Sequence, residues 1–532
     1  MKLKPLLAIT FLLCIFFTNA QHQVAPLLRT RQLETFIATE QQSSGALIEG
    51  FYHSTNLRLE TTNYSSTTFQ QYNYKPEEAF GTNLRFFIDF NTLGDEDTLF
   101  IYGNTDSIAL TQKNLKTIRY TSLPYQNAHL QLKDYPPYQN HNIVLKGIGQ
   151  SLLKENSLAK NNNFGDSGDC QVNINCSEGD DYQDLKRAVV RILWKINNTL
   201  GWCTGTLVNN TSYNYRQFLL TAEHCAIQNG NFASADDFTD WTFYFNFESS
   251  GCPTSGSEQG LNNQTVTGAT LLANSDDDGG SSGSDFLLLE INPEIPASYN
   301  PYFSGWNRSA DATPQEVVCI HHPNGDIKKI STNSGNIGLG TFSDSLPNLN
   351  SHYLLSFSQT ENGYGTTEAG SSGSGIFDEN HLLRGTLTGG FSGCSNTSGF
   401  DYFGTMPYHW NKNGTSPQNR LMDWLDSNNT GALVTIGTNQ GDPIPQDTAS
   451  FAIKGNPVIN GSINIAAIGN LEDRISLQLF DLKGQLVRNK NVVAVPFFDT
   501  TLDVANLRNG LYILRINTNG NYKSYRVVIA NK

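Results

Sequence analysis

The stretch Gly370-Ser371-Ser372-Gly373-Ser374-Gly375, followed at once by the apolar Ile376-Phe377, is the part of the chain from which its fold and chemistry can be argued. A serine between glycines, directly before an apolar strand, can hold its hydroxyl on a tight turn. The backbone N–H groups of Gly370 and Ser372 would then point at one spot, which is the layout of an oxyanion hole. Gly/Ser-rich loops are also common as plain turns. The stretch therefore predicts a nucleophile only if a base and a carboxylate occur elsewhere in the chain.

Two upstream residues supply that base and that carboxylate. His224 follows the strand-like run at 218–222, and Asp285 enters the apolar run at 286–289. A carboxylate at the start of a buried strand is partly desolvated and needs a partner such as a histidine N–H. A serine becomes a nucleophile when such a histidine takes its proton. The chain order His224, Asp285, Ser372 is that of double β-barrel serine proteases, whereas an α/β-hydrolase has Gly-x-Ser-x-Gly and the order Ser, Asp, His.

Composition favours an exported, β-rich protein with several domains. The chain has 532 residues, which suits about three domains. It has 46 glycines and 11% aromatic residues but only 16% charged residues, which indicates extended strands joined by many turns. The net charge of −14 argues against nucleic acid as a partner. The sequence contains no nucleotide-binding motif, and we expect no cofactor.

Residues 1–20 have the pattern of a secretory signal peptide. Lys2 and Lys4 form its positive end, residues 6–17 its apolar core, and residues 18–20 the small-residue cleavage site. No other apolar run is long enough to span a bilayer. The sequence therefore predicts a protein exported through the periplasm to the medium or the cell surface, in a compartment that permits disulfides.

Two further regions differ in composition. Residues 21–164 contain alternating strand-like runs and end in a polar, cleavable segment, so they are interpreted as a β-rich propeptide or a permanent N-terminal module. Residues 165–437 contain every cysteine outside the signal peptide, and six of these seven can form three disulfides. The acidic loop 276–280 could bind calcium, but we interpret it as a solvated loop and predict no metal site.

The end of the chain predicts a separate small domain. Residues 438–449 are rich in turn formers and are interpreted as a linker. Residues 450–532 have short alternating strands and the hairpin signal Asn519-Gly520, which are typical of a small β-sandwich. The predicted fold class is thus all-β in each of the three regions after the signal peptide.

From residue 165 to about 436 the chain resembles the secreted bacterial lysyl endopeptidases, a branch of the trypsin-like serine proteases. The matching runs are Gly168-Asp169-Cys170, Cys176-Ser177-Glu178-Gly179-Asp180, residues 203–211, residues 219–225, Ser284-Asp285-Phe286, Ile320-His321-His322-Pro323, Gly370-Ser371-Ser372-Gly373-Ser374, Arg420-Leu421 and residues 423–426. This resemblance implies a chymotrypsin-like pair of β-barrels with the active site between them, and a short helix near residues 418–426. It also implies that His224 is the general base, Asp285 its orienting carboxylate and Ser372 the nucleophile, with the Gly370 and Ser372 amides as oxyanion hole.

The same resemblance implies the disulfides and the substrate pocket. The implied disulfides are Cys170–Cys394, Cys176–Cys252 and Cys203–Cys225, with Cys319 free. Asp401 would lie at the bottom of the pocket for the P1 side chain, where a buried carboxylate needs a cationic partner such as lysine or arginine. Thr388, Gly389 and Gly390 would flank the substrate backbone. Three departures are Thr388, where close relatives have histidine, Gly375, where proline is usual, and Ser371. At position 371 trypsin-type zymogens have the aspartate that binds a new N-terminus, which the lysyl endopeptidase pattern also lacks.

The tail resembles the C-terminal sorting domain of the Bacteroidetes type IX secretion system. The resemblance rests on Asn456-Pro457, residues 481–484 and residues 507–512. It implies that residues 450–532 engage the secretion machinery; a module that binds glycans or a surface is the alternative.

Together these features predict a secreted serine endopeptidase that acts on protein or peptide substrates, with lysine at P1 by family likeness. The alternatives are a protease that accepts both arginine and lysine, and a non-catalytic surface or adhesive protein on a protease fold. Lys154 and Lys160 precede the catalytic region. A lysine-directed zymogen could therefore release itself, and Lys160 is the favoured cleavage site.

Overall fold

The structure is a computed structural model of the chain. It describes residues 27–42, 44–59, 70–72, 82–92, 98–102, 107–111, 120–124, 129–133, 142–152, 166–253, 264–310, 313–343, 349–442, 450–454, 456–468, 473–494, 499–518 and 521–531. The predicted signal peptide, Lys154, Lys160 and the Asn519-Gly520 turn lie outside the described residues. Among the helices described, none is long and apolar enough to cross a membrane.

The N-terminal region consists of one helix and two antiparallel sheets. Its elements are α1 (Thr30–Gln41), β1 (Leu47–Leu59), β2 (Gln70–Tyr72), β3 (Thr82–Thr92), β4 (Thr98–Tyr102), β5 (Ser107–Leu110), β6 (Tyr120–Pro124), β7 (His129–Lys133) and β8 (Asn142–Leu152). One sheet has the order β1-β8-β3-β6 and the other the order β2-β7-β4-β5. The alternating pattern of the sequence therefore does correspond to strands. Strand β3 is buried on both faces, because Arg85 and Phe87 are buried as well as Leu84, Phe86 and Ile88.

The central region is built from short, mostly antiparallel strands. They are β9 (Val172–Asn173), β10 (Val189–Ile196), β11 (Thr199–Leu207), β12 (Phe218–Thr221), β13 (Ile227–Gln228), β14 (Asn231–Phe232), β15 (Thr242–Tyr244), β16 (Thr265–Thr267), β17 (Ala269–Asn274), β18 (Leu287–Ile291), β19 (Tyr302–Phe303), β20 (Trp306–Asn307), β21 (Val317–His321), β22 (Lys329–Asn333), β23 (Gly338–Gly340), β24 (His352–Leu355), β25 (Gly375–Asp378), β26 (Leu383–Gly390), β27 (Asp401–Thr405), β28 (Val434–Thr435) and β29 (Thr438–Asn439). Short helices are α2 (Ala235–Phe238), α3 (Met406–Asn411) and α4 (Met422–Leu425), and 3₁₀ turns lie at Ser177–Tyr182, Leu185–Arg187, Glu223–Ala226, Ala297–Tyr299, Pro323–Gly325 and Pro417–Asn419.

These strands form the two β-barrels that the sequence predicts. The first barrel uses β10, β11, β12 and β15–β18, and the second uses β20–β28 with β9 at its edge. Strand β10 shows how the barrels are filled, because all eight of its residues are buried. Ile192 and Trp194 point into the first barrel, whereas Leu193 packs in a separate cluster with Trp202. A strand buried on both faces is covered by another layer on its outer side.

The N-terminal region contributes Tyr52 and Phe87 to that outer layer, beside Tyr244 and Phe247 of the central region. Strand β1 continues the sheet of the first barrel by pairing with β11, with Leu47 opposite Trp202 and Ile48 opposite Gly201. Ile48 is itself part of the barrel core. Lys146 on β8 forms an ion pair with Asp240 at 2.6 Å. The boundary predicted at residue 164 falls outside the described residues, and the regions on either side of it share one sheet.

The C-terminal end of the central region extends further than predicted. Thr438–Asn439, assigned to the linker from sequence, is a strand that pairs with Tyr302–Phe303. Asn209 donates from Nδ2 to Thr438 Oγ1 at 2.9 Å, which fixes this strand to the first barrel. Turn formers after Gly437 therefore do not mark the start of a free linker. The helix predicted at residues 418–426 is reduced to the 3₁₀ turn Pro417–Asn419 and α4.

The tail forms the predicted small β-sandwich. Its strands are β30 (Ser450–Lys454), β31 (Ser462–Ile468), β32 (Asp473–Phe480), β33 (Leu486–Ala494), β34 (Asp499–Asp503), β35 (Gly510–Thr518) and β36 (Asn521–Ile529). One sheet has the order β30-β31-β34 and the other the order β33-β32-β35-β36. Alternate residues of both sheets, such as Ile463, Leu477 and Leu514, form one buried core between them.

Candidate active site

His224 lies on the 3₁₀ turn directly after β12, at the edge of the first barrel. The disulfide between Cys225 and Cys203 ties this turn to β11. Its Nδ1 is 2.7 Å from Asp285 Oδ2, and its backbone N–H donates to Asp285 Oδ1 at 2.9 Å. An ionised carboxylate only accepts hydrogen bonds, so Nδ1 carries the proton. The other ring nitrogen, Nε2, is therefore the free base in the neutral imidazole.

Asp285 is fully buried and adopts an unusual backbone conformation. Its exposed fraction is 0%, and its φ of 58° lies in the left-handed region. Such a conformation persists only where the surroundings hold it. The backbone N–H of Asp285 donates to Asp277 Oδ2 at 2.9 Å, and its carbonyl accepts from Glu223 N–H at 3.3 Å. The residue is thus bound on both sides by neighbours of His224.

The electrostatic environment favours the protonated form of His224. Burial by itself lowers the pKa of the imidazole, but the charge of Asp285 and its hydrogen bond outweigh burial. Glu223 and Asp277 add to the negative field, and the net result is a pKa raised above the ordinary value of 6.5. An imidazolium formed at this position is consequently stabilised.

Ser372 lies on a turn of the second barrel, directly before β25. Gly370 and Gly373 on either side have φ values of 89° and 80°. A Cβ at Gly373 would lie 2.0 Å from Thr221 Oγ1, so this position requires glycine. Within the described residues the amides of Gly370 and Ser372 donate no hydrogen bond, whereas that of Ser371 donates to the Glu368 carbonyl. Two unpaired amides thus flank the serine hydroxyl.

The two barrels bring Ser372 beside the turn that carries His224. The Ser372 carbonyl accepts a hydrogen bond from Thr204 N–H at 2.8 Å, across the barrel interface. Gly373 lies against Thr221 and Ala222, the residues that lead into the His224 turn. In the described part of the chain Nε2 of His224 is buried and has no hydrogen-bond partner. The structure thus places Ser372 next to the turn that carries His224, without a hydrogen bond between Ser372 Oγ and His224 Nε2.

Ser371, the residue before Ser372, is held by a neutral histidine, a feature that the sequence did not reveal. Ser371 Oγ is 2.8 Å from His321 Nδ1, and His321 Nε2 is 3.0 Å from Ser331 Oγ. Burial and the nearby charge of Lys329 lower the pKa of His321 to about 3, so the ring stays neutral. Trypsin-type zymogens have at this position an aspartate that binds a new N-terminus. In this chain the residue is Ser371, and its hydrogen bond with His321 involves no new N-terminus.

Asp401 is the fully buried first residue of β27. Its Oδ2 accepts from Ser392 Oγ at 2.6 Å and from Thr367 Oγ1 at 2.7 Å, and its Oδ1 accepts from Ser392 N–H at 3.1 Å. Burial raises the pKa of Asp401, although these hydrogen bonds work in the opposite direction. A Cβ at Gly390 would lie 2.0 Å from Asp401 Oδ1, so only glycine leaves room beside the carboxylate.

Thr388 is placed differently from its neighbours on β26. Gly389 and Gly390 are partly or fully exposed, whereas Thr388 is 5% exposed. Its hydroxyl is 3.0 Å from His352 Nε2, and burial lowers the pKa of that histidine to about 3. Its methyl group lies 3.1 Å from the Cβ position of Gly280, in the loop before Asp285. Thr388 is therefore buried between His352 and the loop before Asp285, whereas the resemblance implied that it flanks the substrate backbone. The sequence did not indicate His352 as its neighbour.

The disulfides are Cys170–Cys394, Cys176–Cys252 and Cys203–Cys225, the same pairs that the resemblance implied. Cys319 is free and buried, and its burial raises the pKa of the thiol to about 12. The Sγ atom of Cys319 lies 3.2 Å from Oγ of Ser374, which belongs to the same turn as Ser372. Cys319 is therefore a protonated thiol that packs in the core.

The interpretation of residues 276–280 as a solvated loop is wrong for Asp277. Asp276 and Asp278 are exposed, but Asp277 is only 5% exposed and bonds to the loop backbone. The error arose because composition alone cannot show which acid of a run faces inward.

The N-terminal region reaches the site through the residues just before β1. A Cβ at Gly45 would lie 3.2 Å from Cδ2 of His224. Glu40, at the end of α1, accepts hydrogen bonds from Gln228 Nε2 and Asn229 Nδ2 at 2.8 Å each, just after the His224 turn. The backbone around residue 45 thus covers one edge of the imidazole.

Two family matches bear on this geometry. Residues 164–404 match the family model "Lysyl endopeptidase, C-terminal domain". Residues 456–530 match "Secretion system C-terminal sorting domain", which agrees with the predicted export. Both predicted resemblances are therefore confirmed.

Individual relatives cover the same part of the chain. A lysyl endopeptidase from Pseudomonas aeruginosa is 31% identical over 256 residues, which cover 45% of this chain and 50% of that protein. The chain thus spans half the length of this curated relative. Among solved structures, the protease Anisep from Arthrobacter nicotinovorans has 17% identity and a TM-score of 0.31, with 45% of this chain and 95% of that chain covered. A Glu endopeptidase has 17% identity and a TM-score of 0.27, with 46% and 92% covered.

The pKa of His224 can be measured in the full chain by following its ring resonances by NMR against pH. We expect a midpoint above 6.5, because Asp285, Glu223 and Asp277 stabilise the imidazolium. In Asp285→Asn the charge is lost, and the midpoint should fall. A wild-type midpoint at or below 6.5 would contradict the described field around the ring.

Proposed function

We propose that the chain is a secreted serine endopeptidase that uses Ser372, His224 and Asp285 and prefers lysine at P1. The observation that carries this proposal is the buried His224–Asp285 hydrogen bond of 2.7 Å beside a serine flanked by two unpaired amides. The match of residues 164–404 to the lysyl endopeptidase domain supports the same reaction class. A binding protein would have no use for this combination.

The proposed reaction follows from the protonation of His224, whose Nδ1 carries a proton and whose Nε2 can accept one. Ser372 Oγ attacks the carbonyl carbon of the scissile bond while His224 Nε2 takes the hydroxyl proton. Asp285 holds the imidazolium in place, and the amides of Gly370 and Ser372 donate to the oxyanion. The proton then passes from Nε2 to the leaving amine, which departs and leaves an acyl-enzyme. Water, deprotonated by the same nitrogen, releases the acid product and restores Ser372.

Preference for lysine over arginine is supported by the hydrogen bonds around Asp401. The hydroxyls of Ser392 and Thr367 both donate their hydrogen to Asp401 Oδ2. Their oxygens can therefore only accept a hydrogen bond from a ligand. A lysine ammonium has three donors that suit the carboxylate and these two oxygens together. A guanidinium needs two free carboxylate oxygens side by side for its planar fork. Here Oδ2 of Asp401 already accepts two protein hydrogen bonds, so fewer acceptor sites remain than a two-pronged guanidinium requires, whereas a single ammonium requires fewer.

The N-terminal region is proposed to be a propeptide that keeps the enzyme latent. Its strand β1 extends the first barrel, and the backbone at Gly45 lies against the ring that must receive the proton. A substrate chain needs the same space beside His224. Release after Lys160 by the enzyme's own specificity would open the site.

The tail, residues 450–532, is proposed to engage the secretion machinery. The match of residues 456–530 to a sorting domain supports this role. Its described buried residues form a cluster of their own, separate from the clusters of the barrels.

Hydrolysis of two matched peptides, with lysine or arginine at P1, tests the activity and its specificity together. Protein secreted from the full chain should cleave the lysine peptide with the higher kcat/KM. Ser372→Ala should lower the rate by about 10⁶-fold, as expected for loss of a triad nucleophile. Asp401→Asn should lower kcat/KM for the lysine peptide by at least about 30-fold, because a buried charge loses its partner.

Equal cleavage of both peptides would retain the protease and refute the lysine preference. Cleavage that survives in Ser372→Ala would refute the proposed nucleophile. Absence of cleavage by folded, processed protein would favour a binding role on a protease fold.

Processing can be tested with Lys160→Ala in the full chain. We expect slower release of the N-terminal region and slower gain of activity, because the favoured bond is lost. Intact mass and N-terminal sequencing follow the products, and Ser372→Ala is the control that should remain uncut. A first residue near Asn161 in Ser372→Ala, in the absence of other proteases, would contradict self-processing.

A further inference from the structure

Two buried acids that the proposed mechanism does not use lie directly behind its catalytic dyad. One carboxylate oxygen from each of Glu223, Asp277 and Asp285 lies within 4.8 Å of the other two. Glu223 is 2% exposed and Asp277 is 5% exposed. Burying charge beside Asp285 is costly, so these acids need a structural or chemical reason.

Glu223 accepts hydrogen bonds from the loop that precedes Asp285. Five donors of this loop point at its carboxylate, from Asn274 Nδ2, Ser275 Oγ, Asp276 N, Asp277 N and Gly279 N. The backbone donors lie at 2.8, 3.0 and 3.2 Å, in this order. These donors use the acceptor sites of the carboxylate, so it serves as an anchor for the loop.

Asp277 connects this loop to Asp285, because its N–H donates to Glu223 and its carboxylate accepts from Asp285 N–H. Its Oδ1 accepts from Gly280 N–H at 2.7 Å and its Oδ2 from Asp285 N–H at 2.9 Å. The second bond fixes the amide of a residue whose φ is 58°. A Cβ at Gly279 would lie 2.9 Å from His224 Cβ, so the same loop also rests on the base. A shift of this loop would therefore move both members of the dyad.

The same pair contributes to the charge that the imidazole feels. Asp285 contributes most to the protonated ring, and Glu223 and Asp277 each add to it, although burial and the neighbouring Asp277 raise the pKa of Glu223 itself. The other titratable groups around them are the exposed Asp276 and Asp278 on the loop, and Tyr408 on α3 beside Asp277. His409, also on α3, binds Ser284 Oγ through Nδ1 at 2.8 Å and is neutral, because burial lowers its pKa to about 3. Of these groups, Glu223 and Asp277 are the buried acids closest to Asp285.

We propose that Glu223 and Asp277 are positioning residues, which hold Asp285 in its left-handed conformation and thereby orient His224 for proton transfer. This inference rests on the proposed triad, although it concerns two residues outside it. Neither residue touches the substrate pocket at Asp401, so their loss should reduce kcat rather than binding. Their charge should also set the pH at which His224 loses its proton.

The test uses Glu223→Gln and Asp277→Asn in protein secreted from the full chain. A carboxamide has the shape of the acid, but its NH₂ group cannot accept from the loop amides, and it carries no charge. Asp278→Asn is the matched control, because Asp278 is an exposed acid of the same loop. A lysine peptide is the substrate, kcat and KM are measured against pH, and thermal unfolding reports folding.

We expect each of the two variants to lower kcat by about tenfold or more, a loss typical of misplaced proton transfer, with KM changed less than about twofold. The acid limb of kcat/KM should move to lower pH, since removal of negative charge lowers the pKa of His224. Asp278→Asn should match the wild type in kcat and in its pH profile. An acid limb that stays in place, or kcat values equal to those of Asp278→Asn, would overturn the proposal.

The pKa of the His224 ring, measured by NMR in the same variants, separates this inference from the proposed function. If Ser372→Ala retained activity, the triad would be wrong, yet a lowered ring pKa in Glu223→Gln would still support the pair. If the triad variants were inactive while Glu223→Gln and Asp277→Asn left rate and ring pKa unchanged, only the positioning role would fail. Failure of both variants to fold would also overturn it, because the pair would then be a folding requirement.

Discussion

The rest of the site depends on one buried carboxylate, that of Asp285. A charge with no exposure to water must be compensated inside the protein. Here His224 provides two hydrogen bonds, one from the ring and one from its backbone N–H. The bond from Nδ1 leaves Nε2 as the base, and the backbone bond fixes the turn on which the ring is carried. A single compensated charge thus determines both the tautomer and the position of the histidine.

The architecture explains how this dyad meets its serine. His224 and Asp285 belong to the first barrel, whereas Ser372 belongs to the second, and the hydrogen bond from Thr204 to the Ser372 carbonyl joins them. The N-terminal region adds a strand to the outside of the first barrel and brings residue 45 to the imidazole. Strand β11 therefore pairs both with β12, which leads into the His224 turn, and with β1 of the N-terminal region, so the proposed latency and the proposed catalysis share one sheet.

Much of this arrangement could be predicted from sequence, because it depends on residue types in a fixed order. Glycines around Ser372, an apolar strand before His224 and another after Asp285 indicated the chemistry and the all-β fold. Other features depend on tertiary contacts that no local pattern reveals. The inward turn of Asp277, the neutral His321 that binds Ser371, and the pairing of Thr438–Asn439 with Tyr302–Phe303 belong to this group. The contact of Gly45 with His224 joins residues about 180 positions apart, so it too became visible only in the fold.

Covalent labelling with a fluorophosphonate tests the central claim most directly. The probe reacts with a serine hydroxyl only when a base removes its proton: the serine oxygen bonds to phosphorus and fluoride leaves. Peptide mass spectrometry of processed protein should place the adduct on Ser372 in the wild type, with none in His224→Ala. An adduct on another serine, or labelling of Ser372 that is as fast in His224→Ala, would contradict the triad described here.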